Sequence, residues 1–356
     1  MEKNKVKINV MMFGGRRAGK TSVLAAMEAC FEEQFGTSNL VIKPADTDTM
    51  FAIEEKQREI ESYFGKNKRN FVADNEPTME VHEYAFDISL KSRNGDSMTI
   101  NFIDYPGEWL GKEANKTGEL QGYMNKSNVI MIAIDTPYLM EETPTAEDTS
   151  IGQYNDYRNY CKRITNMIKE VILDDYPRMI LFVPLKCEKY KNNGTMPLVA
   201  TKIKEAYKPL FNYFEGMNAT KAEMAIIPIL TMGKAEFAKF ERDEEGNILI
   251  DEKWKTPSKA TFYFPDANVG KPEPLYCEQP MIFILYYLLE MVVREKRKVD
   301  DKNKKNPIYK WFLDNVWGKL WNLPSIEDFV AEKDSLKKKM KTHGDGFEIV
   351  KNPLKF

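Results

Sequence analysis

The chain has 356 residues, 42% hydrophobic, 30% charged and 12% aromatic, a globular composition that excludes a disordered or collagenous protein. Fifty-two Lys and Arg against 54 Asp and Glu leave a formal charge of −2, which argues against a dedicated nucleic-acid binder. The longest apolar stretch, residues 281–293, is interrupted by Glu290 and is too short to span a bilayer.

The N-terminus runs from a charged start straight into a strand-like segment, so no signal peptide is expected. Residues 6–13 (VKINVMMF) are apolar enough for a buried strand, and Gly14-Gly15 ends it. A helix follows over 21–35, with Val23, Leu24, Met27, Cys30 and Phe31 at helical spacing and Gly36 closing it. A second, more polar helix is expected over 48–64, before anything that reads as another strand. Residues 80–90 alternate, Asn94-Gly95 signals a hairpin, and 98–103 supply the partner strand.

Beyond the hairpin, strands at 128–134, 179–183 and 224–230 alternate with helices at 151–173 and 199–214. A largely buried helix at 281–294 completes the series. This alternation implies a mostly parallel sheet covered on both faces, with one antiparallel edge hairpin. Residues 36–77 and 234–270 read as insertions, and 294–306 as a charged linker. The expected division is therefore a main domain over 1–297 and a helical C-terminal extension over 298–356. Trp311, Trp317 and Trp321 lie in that extension, and Ser325 and Asp328 open its helix in a carboxylate variant of the capping box. Trp311, Phe312, Val316 and Leu320 share a face flanked by lysines, as in an interfacial membrane helix. The reading taken is that the tail covers the body and makes no membrane contact.

Four scattered cysteines (Cys30, Cys161, Cys187, Cys277) make no CxxC pair, so zinc is not expected and a reduced, cytoplasmic setting fits. His82 and His343 are too far apart in sequence to build a metal cluster between them.

The sharpest chemical feature is Gly14-Gly15-Arg16-Arg17-Ala18-Gly19-Lys20-Thr21, which satisfies G-x-x-x-x-G-K-[ST] between a strand and a helix. Small residues let successive N–H groups turn inward as an anion nest at a helix N-terminus. Lys20 brings charge to the phosphates, Thr21 can take a position on Mg²⁺, and Ser22 completes the candidate nucleotide-binding run. Asp104-Tyr105-Pro106-Gly107-Glu108 ends the strand INFID. There a carboxylate can hold Mg²⁺ and the Gly107 N–H can meet a terminal phosphate; the lesser alternative is an ordinary strand-ending Asp-x-Pro-Gly turn, and the neighbouring phosphate loop weakens it further. Leu185-Lys186-Cys187-Glu188 follows a third strand. Lys186 could lie over a purine and Glu188 could accept from guanine N–H groups, or both could form a solvated turn. Thr231-Met232-Gly233 stands where a backbone N–H could reach a base oxygen.

In this order the segments resemble a P-loop GTPase of the Ras-like, translation-factor-related class over about residues 6–297. More narrowly, the chain is similar to divergent bacterial GTPase-like domains of signalling or defence systems. The resemblance implies an α/β P-loop NTPase three-layer sandwich with Mg²⁺ and GTP/GDP as cofactors. The phosphate-loop roles fall on Gly14, Gly19, Lys20 and Thr21. The D-x-x-G motif falls on Asp104 and Gly107, and N/T-K-x-D falls imperfectly on Lys186 and Glu188. Thr78 is the best-placed switch threonine for Mg²⁺, with Thr47 and Thr49 behind it. Leu185 and Glu188 depart from the family's asparagine and aspartate, which puts guanine selectivity in doubt. Glu108 stands where many relatives carry a water-orienting glutamine, and a carboxylate accepts from water without donating. One of Arg16 and Arg17 could act as an arginine in cis; the alternative is that both face solvent or a partner.

The expected function is a cytoplasmic, Mg²⁺-dependent GTP-binding protein with slow hydrolysis, a switch for an unidentified effector or regulator. Lys20, Gly107 and Glu108 are its catalytic candidates. A nucleotide-holding module without turnover and an ATP-using P-loop enzyme are the alternatives.

Overall fold

The computed structural model describes residues 6–65, 69–72, 78–91, 97–111, 115–141, 151–171, 178–216, 222–266, 270–299 and 326–351. Strand β1 (Val6–Phe13) leads through the phosphate loop into α1 (Lys20–Ala29) and α2 (Phe31–Phe35). Strand β2 (Leu40–Pro44), α3 (Thr47–Ser62) and β3 (Asn70–Val72) follow, then β4 (His82–Leu90) and β5 (Ser97–Asp104). Next come α4 (Thr117–Asn125), β6 (Val129–Asp135), α5 (Thr136–Met140), α6 (Ile151–Asn159) and α7 (Cys161–Val171). Strand β7 (Arg178–Leu185) precedes α8 (Glu188–Asn192), α9 (Met196–Ala206), α10 (Lys208–Gly216) and β8 (Ala222–Ile226). Four short strands, β9 (Glu236–Phe240), β10 (Ile250–Asp251), β11 (Thr256–Pro257) and β12 (Ala260–Tyr263), lead to α11 (Gln279–Val299). Helix α12 (Ile326–Lys339) and β13 (Glu348–Lys351) complete the described chain.

Eight strands form one sheet in the order β13-β8-β7-β6-β1-β5-β4-β2. Strands β8, β7, β6, β1 and β5 are parallel. Strands β6 and β7 are buried at every position, as strands covered on both faces must be. One face packs on α1 and α11, whose residues Met281 to Leu288 are all buried; the other packs on α4, α7, α9 and α10. This three-layer α/β arrangement is the expected P-loop fold. The β4–β5 antiparallel pair is present, while its turn residues Asn94 and Gly95 lie outside the described residues.

The antiparallel content is larger than one hairpin. Strand β2 pairs antiparallel outside β4, and β13 pairs antiparallel with β8 at the opposite edge. Five residues of half-buried edge strand carry too little alternation to stand out in LVIKP. Strand β13 belongs to the segment read as purely helical. The charged residues 294–299 continue α11 rather than beginning a linker. The tryptophans of the tail and the Ser325 cap lie outside the described residues.

Three expected helices are broken. The first divides at Cys30, and that over 199–214 divides at Tyr207. The third, over 151–173, breaks at Tyr160, whose φ of 52° lies in the left-handed region. No helix among the described residues is long and apolar enough to cross a membrane.

The two insertions fold together. Strand β3, from the first, pairs antiparallel with β12, from the second, and β12 pairs with β9. Stacked Phe71 and Phe262 bind the pieces, their ring centroids 5.7 Å apart.

Candidate functional site

The site forms where the parallel strands end together. Met12 pairs with Asp104, Phe13 with Ile132, and Asp135 with Leu185. The phosphate loop after β1 therefore lies beside the residues ending β5, β6 and β7, where open α/β sheets place ligands. Gly19 turns into α1 at φ 106°, and Ala18 N–H closes the loop onto the Gly15 carbonyl at 3.2 Å.

Asp104 is completely buried and gathers the expected metal and phosphate groups. Its Oδ2 accepts from the Thr21 hydroxyl at 2.6 Å and the Thr78 hydroxyl at 3.5 Å. Its Oδ1 has no hydrogen-bond partner among the described residues and meets Lys20 Nζ at 3.5 Å as an ion pair. Lys20 also donates to the Gly14 carbonyl at 3.3 Å and lies 5.4 Å from the centre of the Tyr105 ring. Burial raises the Tyr105 hydroxyl well above its ordinary pKa, so the ring faces the lysine as a neutral phenol.

Gly107 abuts the loop crest. A Cβ there would lie 2.3 Å from Arg16 N and 2.4 Å from the Gly15 carbonyl carbon. Only glycine allows the backbone so near. Glu108, the expected water-orienting residue, ion-pairs through Oε1 with Arg16 Nε at 3.1 Å. The Arg16 guanidinium lies 5.7 Å from the Trp254 ring, so Arg16 faces protein, not open solvent.

The crest is braced from beneath by Lys186 together with Asp135 and Arg158, two residues outside every motif. Asp135, completely buried at the end of β6, accepts on Oδ2 from Arg158 at 2.9 Å and from Lys186 at 2.8 Å. Both cations also donate to the Arg17 carbonyl, at 3.3 and 3.4 Å. Arg17 has φ 58°, a left-handed conformation that costs a non-glycine residue about 1–2 kcal/mol. The two charge-assisted bonds to its carbonyl offset that cost. Burial lowers the Lys186 pKa, with Asp135 opposing; Arg158 is also desolvated, yet Tyr138 and Asp135 leave its pKa raised. Lys186 thus reaches the loop and Asp135, with Phe262 of the second insertion 5.9 Å from its Nζ. A carboxylate ending the wholly apolar segment VIMIAI was the available signal for Asp135. Nothing local marked Arg158.

Glu188 is 2% exposed and its Oε1 accepts from the N–H groups of Met232 and Gly233, each at 3.2 Å. The carboxylate expected to read a base therefore secures the 231–233 loop. Burial raises its pKa from the ordinary 4.5 to about 7, against the lowering effect of those N–H groups and Lys186. Between these values the folded state holds a proton that the unfolded state has released. Stability should therefore fall as pH rises through that window, by roughly 3 kcal/mol at most, and level off above it. Melting temperatures from about pH 5 to 8 check this: Glu188→Gln should flatten the slope, and parallel curves would contradict the assignment.

Ser22 is buried in the first turn of α1. The described residues hold no cluster of three or more His, Cys, Asp or Glu side chains arranged for a metal.

The sequence model described as Double-GTPase 2 matches residues 8–224, more than half of the chain. No curated protein matches the chain in sequence. Among solved structures it is similar to the S. cerevisiae Ski7 GTPase-like domain bound to GTP, with 13% identity and a TM-score of 0.32. The same domain bound to GDP and inorganic phosphate gives 11% identity and a TM-score of 0.29. Both alignments cover 64% of this chain and 44% of the Ski7 chain, so under half of that chain's length is matched. The family match covers the phosphate loop, the Asp104 strand end and Lys186–Glu188, and on it the chain belongs to the Double-GTPase 2 family, as a divergent P-loop GTPase.

Proposed function

We propose that the chain is a Mg²⁺-dependent guanine-nucleotide-binding protein that hydrolyses GTP slowly and reports its nucleotide state to a partner protein. The observation that carries this reading is the convergence of Lys20, Thr21 and Thr78 on the buried Asp104. Two hydroxyls and a buried carboxylate are the hard oxygen donors that suit Mg²⁺, and Thr21, Thr78 and Asp104 would hold it. When bound, the ion neutralises charge on the phosphate oxygens.

The chain's own residues supply the rest. Loop N–H groups and Lys20 bind and orient the phosphates, and Gly107 offers its N–H to the terminal one. Glu108 accepts a hydrogen bond from water but cannot also donate one as an amide would, and Arg16 holds it aside. Slow turnover follows from that pairing. The same pair favours a second reading, a nucleotide-holding module without turnover, and a single-turnover GTP assay separates the two.

The switch is assigned to residues 36–78. Its α3 rests on α1 through Gln57, which donates to the Ala25 carbonyl at 3.1 Å, and its β3 joins the second insertion. Limited proteolysis tests the assignment. Cleavage within 36–78 should differ between GDP and a non-hydrolysable GTP analogue; equal cleavage would contradict a switch there.

A further inference from the structure

A second concentration of positive charge lies apart from the phosphate nest. The second insertion closes over the outer side of the loop crest and leaves a cavity of about 50 Å³ against α6. Arg16 and Arg17 line it from the crest, Arg158 from α6, Lys186 from the end of β7 and Lys259 from the insertion. The acid in that lining is Asp251. Neither Lys20 nor Thr21 lines the cavity, so it is not the nest itself.

Arg16 is paired with Glu108 at 3.1 Å, whereas Arg158 and Lys186, only 15% and 18% exposed, have a single carboxylate oxygen between them. That oxygen is Oδ2 of Asp135, and the exposed Lys259 of the insertion makes a loose pair with Glu241 at 4.0 Å. Desolvated cations are costly unless paired, so an anion entering this space is stabilised. Size narrows the class. A water needs about 10–15 Å³ of such space, so a few waters or one tetrahedral oxyanion fit. A nucleoside, which needs a pocket of roughly 300 Å³ or more, does not. Planar guanidinium groups on two walls match phosphate oxygens in pairs.

We propose that this cavity binds a phosphate group, as free inorganic phosphate or as the phosphate of a small ester. Because Lys259 stands on the insertion and Arg16 and Arg17 on the crest, the bound anion ties the insertion to the loop. The inference does not depend on guanine-nucleotide binding.

Calorimetric titration of the full chain with inorganic phosphate, and separately with glycerol phosphate, tests it. Saturable phosphate binding is expected in the wild type, with or without saturating Mg²⁺ and GDP, and in Lys20→Ala. Lys259→Gln, at an exposed position that leaves the fold intact, should weaken it about tenfold, and Arg158→Gln more where that variant folds. Binding of glycerol phosphate as tight as that of phosphate would assign the site to esters, and weaker binding to the free ion; both support it. No saturable binding, displacement by GDP, loss in Lys20→Ala, or an unchanged affinity in Lys259→Gln would overturn it. If the protein proves not to bind guanine nucleotides, the unliganded wild type and Lys259→Gln still decide the question.

Discussion

Lys20→Ala should lower the affinity for GDP and GTP in Mg²⁺ by about 10- to 100-fold, read by titration with a fluorescent guanine nucleotide. The ammonium is 5% exposed, so its contact with phosphate is made in a desolvated site where a charged hydrogen bond contributes about 1.5–3 kcal/mol. The loop N–H groups and Thr21 remain, but without that charge the phosphates meet the buried Asp104 carboxylate unopposed. The same variant removes the ion partner of Asp104 Oδ1 and should lose on the order of 1–3 kcal/mol of stability without nucleotide. Wild-type affinity in Lys20→Ala would show that phosphates do not bind in this loop.

Gly15→Ala should be comparably damaging for a different reason. A Cβ at that position would lie 2.1 Å from the Arg158 carbonyl oxygen, a backbone atom that no side-chain rotation removes. Either the loop or the end of α6 must shift, at a cost of about 1–3 kcal/mol. That shift also pulls Arg158 from Asp135 and from the Arg17 carbonyl. Both melting temperature and nucleotide affinity should therefore fall together. Gly118→Ala in α4, where nothing lies within 4 Å of the added atom, should leave both essentially unchanged. Identical behaviour of the two variants would contradict the described packing of α6 on the loop.

The parts of the site legible in the sequence are those fixed by local chemistry. The phosphate loop announces itself because glycine spacing, lysine and hydroxyl lie within eight residues and between a strand and a helix. Asp104 and Gly107 were legible because their strand end follows a clean alternation. Thr78 was placed by its position before the hairpin, and it does lie against Asp104. The parallel order of the sheet followed from the alternation of apolar strands with helices.

What escaped depends on contacts distant in the chain. The brace beneath the crest joins Arg17, Asp135, Arg158 and Lys186, and no local pattern records that they meet. The break at Tyr160, which brings the Arg158 carbonyl against Gly15, falls within residues 151–173, where neither glycine nor proline near that point marks an end to the expected helix. Pairing of β3 with β12 links residues 70–72 to 261–263, each strand too short to signal its partner. Glu188 illustrates a subtler limit. Its residue type fitted a base reader, yet its carboxylate reaches the Met232 and Gly233 N–H groups.

The most direct test of the central claim is nucleotide choice by the wild-type chain. Nucleotide-free protein would be titrated with GDP, GTP, ADP and ATP in the presence of Mg²⁺. Saturable binding of both guanine nucleotides is expected, clearly tighter than that of either adenine nucleotide. Adenine binding as tight or tighter would contradict it, and would make the site that of an ATP-using P-loop protein.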